Sequence, residues 1–147
     1  MARMHSRRRG RSSSTRPLSK KPPPWCKVTS DEVQALVVKY AKEGNPPGSI
    51  GTILRDQHAV PLVKQIAGKS ITQILRENNL AGEIPEDLSN LIQKAAGMNR
   101  HLSRFKSDRM NVHRLQLVES KIHRLSKYYK QKGVLPQGWK PSYRGAA

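Results

Sequence analysis

The sequence predicts an all-α protein, a small N-terminal helical subdomain followed by a long antiparallel helical hairpin and preceded by a basic tail. Three observations carry that reading. Apolar residues recur at spacings of three and four along most of the chain. No segment shows the apolar–polar alternation of a half-buried strand. Proline, glycine and Ser/Thr/Asp punctuation falls where helices should start and stop.

Residues 1–28 form the basic extension. Arg3, Arg7, Arg8, Arg9, Arg11, Arg16, Lys20 and Lys21 stand among serine-rich and proline-rich tracts. Too few apolar residues are present to offset chain entropy, so the free tail is expected to be disordered. Trp25 marks the expected onset of order.

Residues 29–82 form the predicted subdomain. Thr29-Ser30-Asp31-Glu32 has the pattern of a capping box. Val33, Leu36, Val37 and Tyr40 follow at helical spacing, and Gly44 with Pro46 should stop this helix. A second helix should follow Pro47 and bury Ile50, Ile53 and Leu54. Pro61 can open a third, with Leu62, Val63 and Ile66 inward. A fourth should run from Ser70 to about Asn79, burying Ile71, Ile74 and Leu75. Alone, a unit of this size would be marginally stable.

Residues 83–147 form the predicted hairpin and a C-terminal tail. Pro85-Glu86-Asp87 suits a helix start, since Pro fits the first turn and acids favour the positive end of the helix dipole. Leu88, Leu91, Ile92, Ala95, Leu102 and Phe105 should form one stripe. After a break at Ser107-Asp108, a last helix should run to Gly133, with Leu115, Val118, Ile122, Leu125 and Tyr129 as its seam. Two long amphipathic helices joined by a short turn should pack antiparallel.

Charge narrows the function. The 147 residues carry 28 Lys and Arg against 10 Asp and Glu, a net +18. Residues 1–27 hold nine basic and no acidic residues, residues 28–93 six and eight, and residues 94–147 thirteen and two. A near-neutral middle between two basic ends points to a polyanionic partner held by the ends. No run approaches the roughly 18 apolar residues of a membrane span, and the N-terminal arginines are not followed by the apolar core of a signal peptide. One cysteine, Cys26, suits a reducing compartment. The expected location is cytoplasmic.

Catalytic classes find no support. His5, His58, His101, His113 and His123 include no pair at metal-ligand spacing, and there is no phosphate-cradling glycine loop. No Ser, His and Asp arrangement has the local context of a triad. The reading is a non-enzyme with no cofactor, no metal and no small-molecule substrate.

The last helix holds the strongest candidate site. At 100° per residue, Arg109, His113, Arg124 and Lys127 fall opposite the apolar seam, with Arg114 and Lys121 on a flank. Tyr128 turns toward this basic side and Tyr129 toward the seam. An aromatic ring among cations can stack on a base while the cations neutralise phosphates. At the turn, His101, Asp108 and Asn111 offer mixed donors and acceptors suited to reading groove edges; equally, Asp108 can simply cap the last helix. The tail arginines suit phosphate tracking, which adds affinity without sequence information, or else simple solubility. One competing pattern is Pro47-Gly48-Ser49-Ile50-Gly51-Thr52-Ile53-Leu54 followed by a turn and a short helix. It has the outline of a helix-turn-helix DNA- or chromatin-binding unit, but offers mainly Lys64, Gln65 and Lys69 to a duplex, in a near-neutral region.

The run His101-Leu102, Asp108, Arg114-Leu115, Glu119-Ser120-Lys121-Ile122-His123-Arg124-Leu125, Tyr128-Tyr129-Lys130, Val134-Leu135-Pro136 and Trp139-Lys140 resembles the small-subunit ribosomal protein fifteen family. Met1-Ala2-Arg3-Met4-His5 and Ile50-Gly51-Thr52-Ile53-Leu54-Arg55-Asp56-Gln57-His58 resemble its archaeal and eukaryotic branch, which has an extra N-terminal region. The resemblance implies a monomer within the ribosome that binds the central domain of small-subunit ribosomal RNA, beside neighbouring ribosomal proteins. One surface would meet a three-way junction and another a minor-groove motif. His101 and Asp108 fall at the family's groove-contacting positions, with Asn111 where bacterial relatives have Ser. Arg124 and Tyr128 match the junction-facing Arg and Tyr, and Lys94 stands where bacterial relatives use Arg. The bacterial Thr-Gly-Ser and Gln contacts have no counterpart around Pro85-Glu86-Asp87.

Overall fold

The computed structural model describes residue 19 and residues 21–142; Arg3, Arg7, Arg8, Arg9, Arg11, Arg16 and Lys20 lie outside the described residues. Every regular element among the described residues is helical: α1 (Ser30–Lys42), α2 (Pro47–Gln57), α3 (Val63–Ala67), α4 (Ile71–Glu77), α5 (Glu86–Arg104) and α6 (Arg109–Gln131). They fall into two compact units, divided between Glu83 and Ile84.

In the first unit, α1 packs against α2, α3 and α4. Its start is the capping box: the Thr29 hydroxyl accepts from the Glu32 N–H, and the Glu32 carboxylate accepts from the Thr29 N–H at 2.9 Å. Two otherwise unpaired helix-end donors are thereby satisfied. Its end is a Schellman turn, with Gly44 at φ +87 and the Asn45 N–H donating to the Tyr40 carbonyl. Val33, Val37, Ile50, Leu54, Val60, Val63, Ala67, Ile74 and Leu75 form the core. Gly51 matters to this packing, since a Cβ there would lie 3.3 Å from Ile71 Cδ1, where α2 and α4 meet.

Two expectations need correction. Pro61 does not open α3; Leu62 is extended (φ −147, ψ 110), so the helix begins at Val63 and Leu62 is only half-buried. Ile53, Ile66 and Ile71 are half-buried, with Ile66 and Ile71 packed against the rim of this core and Val60 and Ala67 fully inside it.

In the second unit α5 and α6 form the hairpin. Its core is Leu88, Ala95, Val118, Ile122, Leu125 and Leu135, flanked by Leu91, Ile92, Leu115, Tyr129 and Trp139. The helices run antiparallel, as two contacts show. Asp87 at the start of α5 meets Tyr129 near the end of α6, and His101 near the end of α5 meets Asp108 at the start of α6. Phe105 departs from its expected place in the stripe. It caps α5 at φ −116, ψ 73, outside the helical period, and is 56% exposed. A second Schellman turn ends α6, with Gly133 at φ +69 and the Val134 N–H on the Tyr129 carbonyl.

Candidate nucleic-acid interface

The seam of α6 is buried where the spacing put it, and that fixes what faces outward. Val118, Ile122 and Leu125 are buried, while Arg109, His113, Arg114, Lys121, Arg124, Lys127 and Tyr128 are exposed.

The tertiary contacts then divide the exposed residues. Asp87, Lys94 and His101 are seven apart, so they share one stripe of α5. Both ends of that stripe bond to α6, which places it along the edge where the helices meet. Arg114, Lys121 and Tyr128 are likewise seven apart on α6, with Arg124 one turn before Tyr128. The Tyr128 ring packs edge-on against Tyr129, centroids 5.3 Å apart, and Tyr129 reaches Asp87. One face of the hairpin therefore carries Lys94 and His101 from α5 with Arg114, Lys121, Arg124 and Tyr128 from α6. Arg109, His113 and Lys127 lie further round α6, opposite the seam, with Arg124 between them and this face. Lys21 is exposed in the first unit.

Electrostatically this face is open. Among the described residues the Lys/Arg–carboxylate pairs are Arg55–Asp56 and Lys69–Glu77, each at 2.7 Å, and both lie in the first unit. Arg114, Lys121 and Arg124 have no such partner among the described residues. Lys132 lies 6.0 Å over the Tyr128 ring, leaving the ring half-exposed and electron-rich beside cations. Tyr129 is held differently. Burial, then its hydrogen bond to Asp87 and that carboxylate's charge, push its hydroxyl up to about 12.

At the turn, His101, Asp108 and Asn111 do come together. Asp108 caps α6 by accepting from the Asn111 backbone N–H at 3.0 Å. Its other oxygen accepts from the His101 ring at 3.1 Å and the Asn111 amide at 2.6 Å. These bonds, the backbone one first, lower its carboxyl to about 2. So Asp108 is a helix cap and a clamp on two side chains at once. With Nε2 of His101 donating to Asp108, Nδ1 is left as the ring's outward polar atom. Phe105 stacks on the same ring at 4.8 Å. Sequence reasoning missed Phe105 as a neighbour of His101, although a spacing of four at a helix end was the available signal. It also missed the Asp87–Tyr129 bond, which no local pattern encodes.

Among the described residues no group of His, Cys, Asp and Glu could hold a metal ion. No described helix is long and apolar enough to cross a membrane. An open hollow lined by Val28, Glu32, Ala35, Leu36 and His58 is almost wholly apolar and lacks a convergent reactive set. Of the helix-turn-helix candidates, Lys69 is paired with Glu77, and the Gln65 amide donates to the Ser19 carbonyl.

Comparison with known proteins agrees with this geometry. Residues 1–60 match the ribosomal S13/S15 N-terminal domain and residues 68–145 match ribosomal protein S15. The chain is 54% identical over 140 residues to the small ribosomal subunit protein uS15 of Cenarchaeum symbiosum, covering 95% of this chain and 94% of the relative. Identity to the protein of the same name in Nitrosopumilus maritimus is 50%, with the same coverage. With that of Schizosaccharomyces pombe it is 47%, over 95% of this chain and 93% of the relative. The chain belongs to the ribosomal protein S15 family.

Proposed function

We propose that this chain is a structural, non-catalytic constituent of the small ribosomal subunit. It works in the cytoplasm as a single copy per ribosome, next to other ribosomal proteins. Its hairpin docks on folded ribosomal RNA of the central domain at a helical junction and supports subunit assembly and translation. The observation that carries this reading is the hairpin face itself: Arg114, Lys121 and Arg124 without a carboxylate partner among the described residues, around a half-exposed Tyr128, with Lys94 and His101 alongside.

The physics is that of a clamp. Cations meeting phosphates release counterions and supply affinity, and the ring and the His101 cluster supply selectivity. A protein that binds only the folded junction stabilises it by mass action. The extension, residues 1–28, adds phosphate contacts; the subdomain, residues 29–82, and the hairpin, residues 83–147, act as separate parts.

A competition assay tests this. A junctional small-subunit RNA fragment should displace labelled RNA at far lower concentration than duplex DNA of equal length. Preference for the DNA would overturn the reading and favour a helix-turn-helix binder.

A further inference from the structure

We infer that the outward side of α5 is a second RNA contact, centred on Gly97, where a sugar–phosphate backbone lies directly against the helix. This rests on the proposed ribosomal RNA binding and extends it from Lys94, at the edge of that face, around α5 to Arg100 and Arg104, away from the α6 cations.

Gly97 sits well inside a 19-residue helix, where glycine is the least favourable residue short of proline. A glycine there commonly serves a positive φ or the close approach of another segment. Neither holds within this unit: Gly97 is not among the positive-φ glycines, and a Cβ built on it meets nothing within 4 Å. Among the described residues, the space over Gly97 is open.

What surrounds that space is cationic. Lys94 and Arg100 lie three residues to either side and Arg104 seven beyond, all exposed and on the same side of the helix. Between Asp87 and Asp108 the chain has no acid. Arg100 and Arg104 are one turn apart and repel each other. The missing side chain costs helix stability, and the like-charge pair offsets part of what Arg104 gains in the last turn of α5. An RNA strand reverses both effects. Its phosphates sit among the cations, and the bare turn lets its backbone come close. The collar from 94 to 104 is about 15 Å long, enough to follow several phosphates.

The test uses the full chain, thermal melting, and filter binding to full-length small-subunit ribosomal RNA over a range of salt. Gly97→Ala and Gly97→Leu should both melt above the parent, because helix propensity rises. Gly97→Leu should nonetheless bind the RNA about tenfold more weakly, the reverse of what a purely structural glycine would give. Arg100→Ala with Arg104→Ala should reduce the salt slope by about two. Parent-like RNA affinity of Gly97→Leu at every salt overturns the inference. Should that variant melt lower, the arginine pair decides, and an unchanged salt slope overturns it. Tyr128→Ala run in parallel separates the two readings. Its weakening with Gly97→Leu unaffected removes only the second contact, whereas a parent chain that does not prefer this RNA removes the function itself.

Discussion

The Tyr129 hydroxyl lies 2.7 and 2.9 Å from the two carboxylate oxygens of Asp87, joining the end of α6 to the start of α5 across 42 residues of sequence. This bond closes the open end of the hairpin, and the Asp108 cluster closes the turn end. Between them lies the apolar seam, and Tyr128, edge-on against Tyr129, is held at the edge of the cationic face.

Tyr129→Phe removes that bond but keeps the ring. Asp87 is exposed and can be rehydrated, so the expected cost is about 1 kcal/mol in chemical denaturation of the hairpin. The bond also carries a pH signature. Tyr129 is pushed from the ordinary 10.0 up to about 12, so its contribution is intact below pH 10 and is lost as pH climbs toward 12. The Phe variant should lose less stability over that alkaline interval than the parent. An identical alkaline profile would rule out the linkage.

Asp108 gives the opposite sign. Its carboxyl is lowered from 3.8 to about 2, so the stabilisation it provides is present above 3.8 and disappears as pH falls through 2. Asp108→Asn keeps a capping oxygen without the titration. Circular dichroism should show the parent losing hairpin helix across that acid interval more steeply than the variant.

Asp108→Ala should release the His101 ring and the Asn111 amide together. Discrimination against altered groove base pairs should then fall more than overall affinity for the junction RNA. Equal weakening on every RNA tested would count against a reading role for this cluster.

Tyr128→Ala should weaken junction RNA binding by about 1–3 kcal/mol, the scale of a stacked side chain. Half of this residue is already exposed, so helix content should be unchanged. A parallel loss of helix would show the effect to be folding alone.

Gly133→Ala places a Cβ on a residue at φ +69 in the Schellman turn of α6. We expect about 1 kcal/mol of destabilisation from the left-handed backbone. RNA affinity at a temperature where the fold holds should not change.

Helix types and their ends were legible because their causes are local. The Thr29–Glu32 box, the Ser70 cap, and the stops at Gly44, Asn79 and Gly133 are all settled within a few residues of each terminus. The α6 seam was legible too, since a period of three and four fixes which side is buried. Phe105 shows the limit. Its spacing fits the stripe only while α5 continues, and the helix ends one residue earlier.

By itself, then, the sequence determined the helices, their buried stripes, and which α6 side chains face outward, because periodicity and capping act over one or two turns. Only the tertiary structure decided which basic residues of α5 join those of α6, with Lys94 and His101 on the side of Arg114, Lys121 and Tyr128. That choice depends on the rotation of α5 about its axis against α6. The rotation is set by contacts such as Asp87 with Tyr129, between residues too far apart in sequence for any local pattern to pair them.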